Sequence, residues 1–583
     1  MTAHTTAALA LGAVLLADAG AAGGSTVAMT GLAPAGEDHI GRGTWGTRSE
    51  AVGRNGMAAT SHPLATLAAI DILRQGGSAM DAAIAANACL GLMEPTGCGV
   101  GGDLFAIVWD PATAKLHGYN GSGRSPKDVS VEKLRARGID IIPMFGPITV
   151  TVPGCVDGWT ALHGRFGKLP LAQVLAPAIT HATEGFAVTE VIADGWARSV
   201  KRFAKEPHFA ETFTLAGKAP AAGDTWRNPA LAETYRAIAA AGRDGFYRGR
   251  IAQTIADEVQ RQGGYLTTAD LAAHAGEWVE PVSTTYRNAT LWELPPNGQG
   301  IAALQILNIL EGYDVAQWGF GSADHLHAFI EAKKLAFEDR ARHYADPAFT
   351  ALPVTQLISK PYAAQRRALL NMQQAAKAVE PGTLPTGTDT IYLTVADSSG
   401  MMVSLIQSNY RGMGSGVVPP AVGFMLQNRG EQFAMADGHP NRLEGNKRPF
   451  HTIIPAFITR DGKPWIAFGL MGGAMQPQGH AQIVMNLVDF KMGLQEAGDA
   501  PRIHHDGSTE PVGPVTPMSD GGTVNLERGF STEALATLAA RGHTLKPADT
   551  AVFGGYQAIM WDEARKVWVG ASERRKDGMA LGY

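Results

Sequence analysis

Two strand-like runs, "TIYLTVA" (390–396) and "MMVSLIQ" (401–407), stand on either side of "DSSG" (397–400). Apolar, β-branched and aromatic residues broken by four turn-forming ones specify a hairpin. With a four-residue connection Ala396 faces Met401, and Thr390 then faces Gln407. Asn409 follows two residues on, on the same face if the strand continues. A hydroxyl and two amides therefore meet at the open end of the hairpin, the kind of place where binding sites form. The segment leading in, "VEPGTLPTGTD" (379–389), is a loop by composition. A threonine that opens a strand is ordinary, because β-branched residues suit strands. A threonine that acts as a nucleophile needs an adjacent base, and its own α-amino group serves once Thr390 becomes a chain terminus. That requires scission of the Asp389–Thr390 bond. The Thr390 hydroxyl would attack the preceding carbonyl, and water would then release the new terminus.

Composition narrows the partners. The chain has 583 residues, 45% hydrophobic and 18% charged, which is globular and enough for a large core. Its 70 glycines and 33 prolines call for many tight turns. The net charge of −5 gives no basic stripe for nucleic acid and favours small solutes as ligands. Cys89, Cys98 and Cys155 have no CxxC spacing, so neither a disulfide framework nor a zinc site is expected. An apolar run from Ala7 to Ala17 is too short to cross a bilayer. It has the length of a signal-peptide core and is followed by Ala19-Gly20-Ala21, although no Lys or Arg precedes it. Residues 1–25 thus read as a leader and imply a periplasmic or secreted protein, with a cytoplasmic one as the alternative. No other segment reads as a membrane span.

Helices come first along the chain. "SHPLATLAAIDILRQGG" has helical apolar spacing and a glycine stop, and Ser78 with Asp81 forms a capping box for the next helix. A glycine turn then enters the strand Leu104–Trp109, which "LHGYNGSGRSP" pairs with. Residues 154 to about 350 read as mainly helical. Strands dominate after Val379, and "TVNLERGFSTEALATLAARGHTLKP" reads as strand, helix, strand. The pattern is a layered α/β (α+β) body. Gly97, Gly99 and Gly102 spell GxGxxG, but a helix precedes and a strand follows, so this is a structural turn and not a nucleotide fingerprint. His504 and His505 face opposite sides of a strand, His325 and His327 fall on different helix faces, and neither pair makes a metal site. "FEDRARHYADP" reads as a solvated or subunit-contact helix. No metal or cofactor is expected.

From about Gly56 to the C-terminus the sequence resembles the gamma-glutamyltransferase family of N-terminal-nucleophile hydrolases. The resemblance lies in "ATLAAIDILRQGGSAMDAAIAAN", "VTVPGCVDGW" and "FGKLPLAQVLAPAITHATEGF", and after Thr390 in "GNKRP", "GLMGGAMQPQ" and "APRIHH". It implies a four-layer αββα sandwich built by two subunits from one precursor, the large one 26–389 and the small catalytic one 390–583, which stay associated after self-cleavage. It implies Thr390 as nucleophile and Asp389–Thr390 as the bond cut. Gly472 and Gly473 match the paired glycines whose N–H groups form the oxyanion hole, where one donor contributes about 3–4 kcal/mol in a well-measured hydrolase. Asn409 matches the family's substrate-binding Asn, and Gln407 with Asn409 would orient the nucleophile and the acyl group. The family binds the substrate's α-ammonium with an acidic residue and a neighbouring Gln, and those positions carry Gln432 and Arg429. Its paired serines fall on His451 and Thr452, and its carboxylate-binding Arg falls near Ser122, with Arg124 two residues away. Exchange of an acid for Gln, with a cation added, disfavours an ammonium. "SLIQSNY", "QNRG" and "PFHTIIP" look more like the oxamate amidohydrolase and cephalosporin-acylase-like branch.

Three functional readings follow. The first is an autoprocessing enzyme that cleaves or transfers the acyl group of a gamma-glutamyl-type amide or peptide. The second is an amidohydrolase for another small acyl amide, oxamate or glutaryl in type. The third is an unprocessed scaffold of the same fold. A homo-oligomer of processed heterodimers is compatible with all but the last.

Overall fold

The computed structural model describes residues 43–378, 390–508, 511–512, 518–548 and 550–583, so the leader and the expected cleavage loop, including Asp389, lie outside the described residues. Two seven-stranded sheets lie at its centre. The first runs Met579–Gly582, Met57–Thr60, Ile391–Ala396, Met402–Ser408, Asp103–Asp110, Lys115–Asn120, Glu277–Val279. The second runs Ala51–Gly53, Val567–Ser572, Tyr556–Asp562, Lys463–Leu470, Ala456–Arg460, Ala289–Glu293, Val282–Tyr286.

Strand periodicity sorts the side chains between layers. Tyr392, Ala396, Met402 and Ile406 meet Phe457, Ala467, Met471 and Ile559 between the two sheets. Ile391, Leu393, Val395, Val403 and Leu405 turn outward onto the helices Pro63–Arg74, Ala79–Met93 and Leu171–Glu184. The outer face of the second sheet carries Gly300–Leu310, Ala323–His343 and Met475–Val488. This is the helix–sheet–sheet–helix sandwich the resemblance implied. The capping box of Ser78 and Asp81 is formed, and the two helices that flank it pack together beneath the hairpin.

Both sheets take strands from before and after position 390. Three of these, Glu277–Val279, Val282–Tyr286 and Ala289–Glu293, lie within the stretch expected to be mainly helical. They are short, and the last two are joined by the two-residue turn Arg287-Asn288, with Arg287 at φ 54°. The charged helix tail is a second departure. Asp339 and Arg340 are buried, not solvated. Asp339 accepts from Gln305 Nε2 and Tyr362 OH, and Arg340 lies over the Phe337 ring and donates to Gln299 Oε1. The three cysteines are free and buried, and no group of His, Cys, Asp and Glu among the described residues is arranged to hold a metal.

Candidate active site

The hairpin forms, but with a tighter loop than expected. Asp397 and Met401 pair through Asp397 N donating to Met401 O (3.1 Å), and Gly400 N donates to Asp397 O (3.1 Å). The loop is Ser398-Ser399-Gly400, closed by Gly400 at φ 90°, the left-handed residue that three-residue hairpins use. The pairing therefore runs Ala396 with Met402 through Ile391 with Gln407. Continued by one step, Thr390 faces Ser408 and not Gln407. Thr390, which is 2% exposed, donates from Oγ1 to Ser408 Oγ at 3.2 Å, and Tyr410 N donates to the same oxygen at 2.8 Å. Ser408 in turn pairs with Asp103 on the next strand. A row of Thr390, Ser408 and Asp103 thus crosses three strands on the face toward the second sheet.

The corrected register moves Gln407 to the helix-side face. Its Oε1 accepts from Gly99 N and its Nε2 donates to Gly99 O, both at 2.8 Å, so it locks the glycine turn and not the threonine. That turn is structural, as its context implied, and a Cβ on Gly97 would lie 3.4 Å from the Thr390 backbone. Asn409 is fastened nearby. Its N–H donates to Gly97 O and its Nδ2 to Met413 O (2.9 Å), while its Oδ1 is buried with no hydrogen-bond partner.

The second sheet supplies the glycines. Ser404 Oγ donates to Phe468 O (3.4 Å), and a Cβ on Gly469 would strike the Tyr392 ring. Moving forward along Lys463–Leu470 is therefore moving backward along Ile391–Ala396, and the exit Met471-Gly472-Gly473 comes to the Thr390 end. Gly472 and Gly473 have φ of 115° and 57°, conformations that side chains resist. Their carbonyls accept from Met475 N and Gln476 N at the start of a helix, and among the described residues neither glycine N–H has an acceptor.

Arg429 is fully buried in a short turn, Arg429–Gln432. Its Nη1 donates to Thr452 Oγ1 (2.8 Å) and its guanidinium stands 4.4 Å from the Tyr410 ring centroid. Nε and Nη2 have no hydrogen-bond partner. Burial pulls Arg429 down to about 10, which still leaves a cation at neutral pH. Asp103 faces it with both oxygens occupied. Oδ1 accepts from Gly123 N, Gly154 N and Gln427 Nε2, and Oδ2 accepts from His451 Nε2 at 2.9 Å. Burial pushes Asp103 up to about 7 against the opposing pull of Arg429 and of the bonds from Gln427, Gly123 and Gly154. His451 is held well below its usual range by burial and then by Arg429, so it stays a neutral donor. Gln432 is the last residue of that turn and is buried, and its Oε1 has no partner.

Of the residues singled out in the sequence, the structure gathers Thr390, Asn409, Gly472, Gly473, Arg429, Gln432, His451 and Thr452 around one sheet end. Arg124 belongs elsewhere. It pairs with Asp346 (3.3 Å) and donates to Asn446 O, while Ser122 is buried and bonded to Asn120. The sequence reading passed over Ser408, Asp103, Gln427 and Gln299. One signal was available for Asp103: a carboxylate at the head of the wholly apolar run "LFAIV" is expensive to bury without a purpose.

Residues 65–583 match the family model described as Gamma-glutamyltranspeptidase. The chain belongs to that family. The gamma-glutamyltranspeptidase-family chain is 37% identical to the glutathione hydrolase-like YwrD proenzyme of Bacillus subtilis, over 91% of this chain and 99% of that one. It is 34% identical to the oxamate amidohydrolase proenzyme of Klebsiella pneumoniae, over 92% and 100%. A crystal structure of cephalosporin acylase from Bacillus halodurans superposes with a TM-score of 0.85 at 42% identity, covering 94% of this chain and 99% of that one. The protein is thus an enzyme, a hydrolase with the N-terminal-nucleophile fold of this family. No helix among its described residues is long and apolar enough to cross a membrane.

Proposed function

We propose that the chain cuts itself between Asp389 and Thr390 and then hydrolyses small amides whose acyl group ends in a carboxylate and carries no ammonium, glutaryl or oxalyl in type. Thr390 Oγ1 attacks the amide carbonyl, and the freed α-amine of Thr390 takes the proton and hands it to the leaving amine. The N–H groups of Gly472 and Gly473 receive the developing oxyanion. The unpartnered Oδ1 of Asn409 is an acceptor for the N–H of the scissile amide. Water then resolves the acyl-enzyme. The large part runs from 26 to 389 and the small part from 390 to 583, with residues 1–25 as an export leader.

The observation that carries this reading is Arg429, a buried cation with two nitrogens lacking partners. A buried guanidinium is strongly destabilised unless it is met by an anion, and a carboxylate answers it with two charge-assisted bonds. A gamma-glutamyl group would bring the carboxylate but also an ammonium. The nearby buried acid, Asp103, already accepts four hydrogen bonds, and Gln432 offers no charge. The names of the oxamate and cephalosporin relatives support the same choice. The glutathione hydrolase-like relative supports the gamma-glutamyl alternative.

The test compares glutaryl, gamma-glutamyl and butyryl anilides on purified, processed enzyme. The glutaryl compound should have the highest kcat/KM. Arg429→Met should lower it by about 10- to 100-fold, the scale of a lost hydrogen bond to a charged group, and leave butyryl turnover within about threefold. Preference for gamma-glutamyl anilide would overturn the acyl assignment.

A further inference from the structure

Gln299 stands at the N-terminus of the helix Gly300–Leu310, where a Ser, Asp or Asn would normally cap. Its side chain makes no cap. It is fully buried and bonds to segments far from it in sequence, beside which the bridge between Gly298 and His451 places it. Its Nε2 donates to Thr452 O at 2.7 Å and to Gly473 O at 2.8 Å, and its Oε1 accepts from Arg340 Nη1 at 2.6 Å. Both protons of one amide are therefore committed to two different parts of the site. Thr452 is the residue whose hydroxyl holds Arg429, and Gly473 is half of the open glycine pair. Arg340 is itself fixed against the rings of Phe337 and Phe450. A residue that breaks the local capping rule in favour of a long-range contact marks a functional constraint.

From this geometry we infer that Gln299 is the positioning residue that sets the distance between the acyl-carboxylate anchor and the oxyanion donors, and so the length of acyl chain the enzyme accepts. The inference rests on the function proposed above. A substrate anchored at Arg429 presents its carbonyl to Gly472 and Gly473 only if the chain between carboxylate and carbonyl matches that spacing. The two ends of the ruler come from segments after position 390, and the link between them comes from before it. The link joins Thr452 O and Gly473 O through a single planar amide, so neither end shifts without breaking a bond.

The experiment measures kcat/KM for a series of anilides with oxalyl, malonyl, succinyl, glutaryl and adipyl groups, with butyryl anilide as the control without a carboxylate, on wild type and on Gln299→Glu. The variant keeps the volume and the partner for Arg340, and it loses both N–H donors. Wild type should show a peaked length profile. Gln299→Glu should lose about 10- to 100-fold at the peak, the cost of misplacing reacting groups by roughly 1 Å, and change by less than about threefold one methylene to either side. Arg340→Met, which frees the amide without removing its donors, should flatten the profile in the same direction and less far. It also serves if Gln299→Glu does not fold or process. A uniform fall across the series in a processed variant, or an unchanged profile, would overturn the ruler. If wild type instead ranks butyryl anilide level with the carboxylate-bearing acyl groups, the Arg429 reading fails and the ruler falls with it, whereas a carboxylate preference with a length profile that Gln299→Glu leaves unchanged overturns the ruler alone.

Discussion

At residue scale the chemistry rests on one hydroxyl with a short list of neighbours. Thr390→Ala should remain a single chain by intact mass, whereas wild type should give two fragments, the smaller starting at Thr390. An uncut wild type that persists on incubation would reject self-cleavage. The freed α-amine has an ordinary value of about 7.7–8.0, so kcat/KM should rise through that range as the base loses its proton. Asp103 makes a separate pH prediction. Its carboxyl is raised from 3.8 to about 7 in the folded protein. The folded state therefore binds the proton more tightly than the unfolded one, and stability from this group is full below about pH 4 and lost as pH rises toward 7. The slope reaches at most about 1.4 kcal/mol per pH unit. Denaturation of Asp103→Asn beside wild type across pH 5 to 8 should show the difference narrowing or reversing as pH rises. A constant difference would rule the contribution out.

At the scale of elements, a single glycine decides which residues share a face. Gly400 at φ 90° makes a three-residue loop of what reads as four, and the register shifts by one position. Ser408 then meets Thr390, and Gln407 turns to the glycine turn behind it. The residues of this hairpin were legible in the sequence, but their facing was not, because loop length depends on a backbone conformation that the letters Ser-Ser-Gly permit without requiring. Gly400→Val should strain that loop and disturb register, read as slower self-cleavage with the overall fold retained by circular dichroism. On the facing sheet Gly472 adopts φ 115°, and Gly472→Ala should lower kcat by about 100- to 1,000-fold with KM little changed, as loss of an oxyanion donor does. A matching rise in KM with kcat intact would show instead that the turn only binds substrate.

For the whole molecule, both sheets interleave strands from either side of the cleavage point. Ile391–Ala396 pairs with Met57–Thr60, and Met402–Ser408 pairs with Asp103–Asp110. Cutting before Thr390 severs one peptide bond and leaves these ladders and the shared cores in place. The two fragments should therefore co-elute on size exclusion under native conditions and separate only in denaturant. Native separation would contradict the interleaved sheets. Missing Glu277–Val279, Val282–Tyr286 and Ala289–Glu293 in the sequence belongs to this scale. Each is only three to five residues long, too short for its alternation to stand out against helical neighbours.

The family resemblance pointed to the glycine pair and the arginine; the residue pattern alone determined the two-period patterning of the sheets, the helices Pro63–Arg74 and Ala79–Met93, and a threonine that opens a strand. These are local, set by side-chain spacing and turn chemistry within a few residues. Tertiary structure alone decided that Thr390 faces Ser408, that Asp103 lies in the same row, that Arg124 belongs to another cluster, and that Arg340 is buried against Gln299. Those facts depend on contacts between residues tens to hundreds of positions apart, and burial and hydrogen-bond satisfaction choose among such contacts only when the layers close.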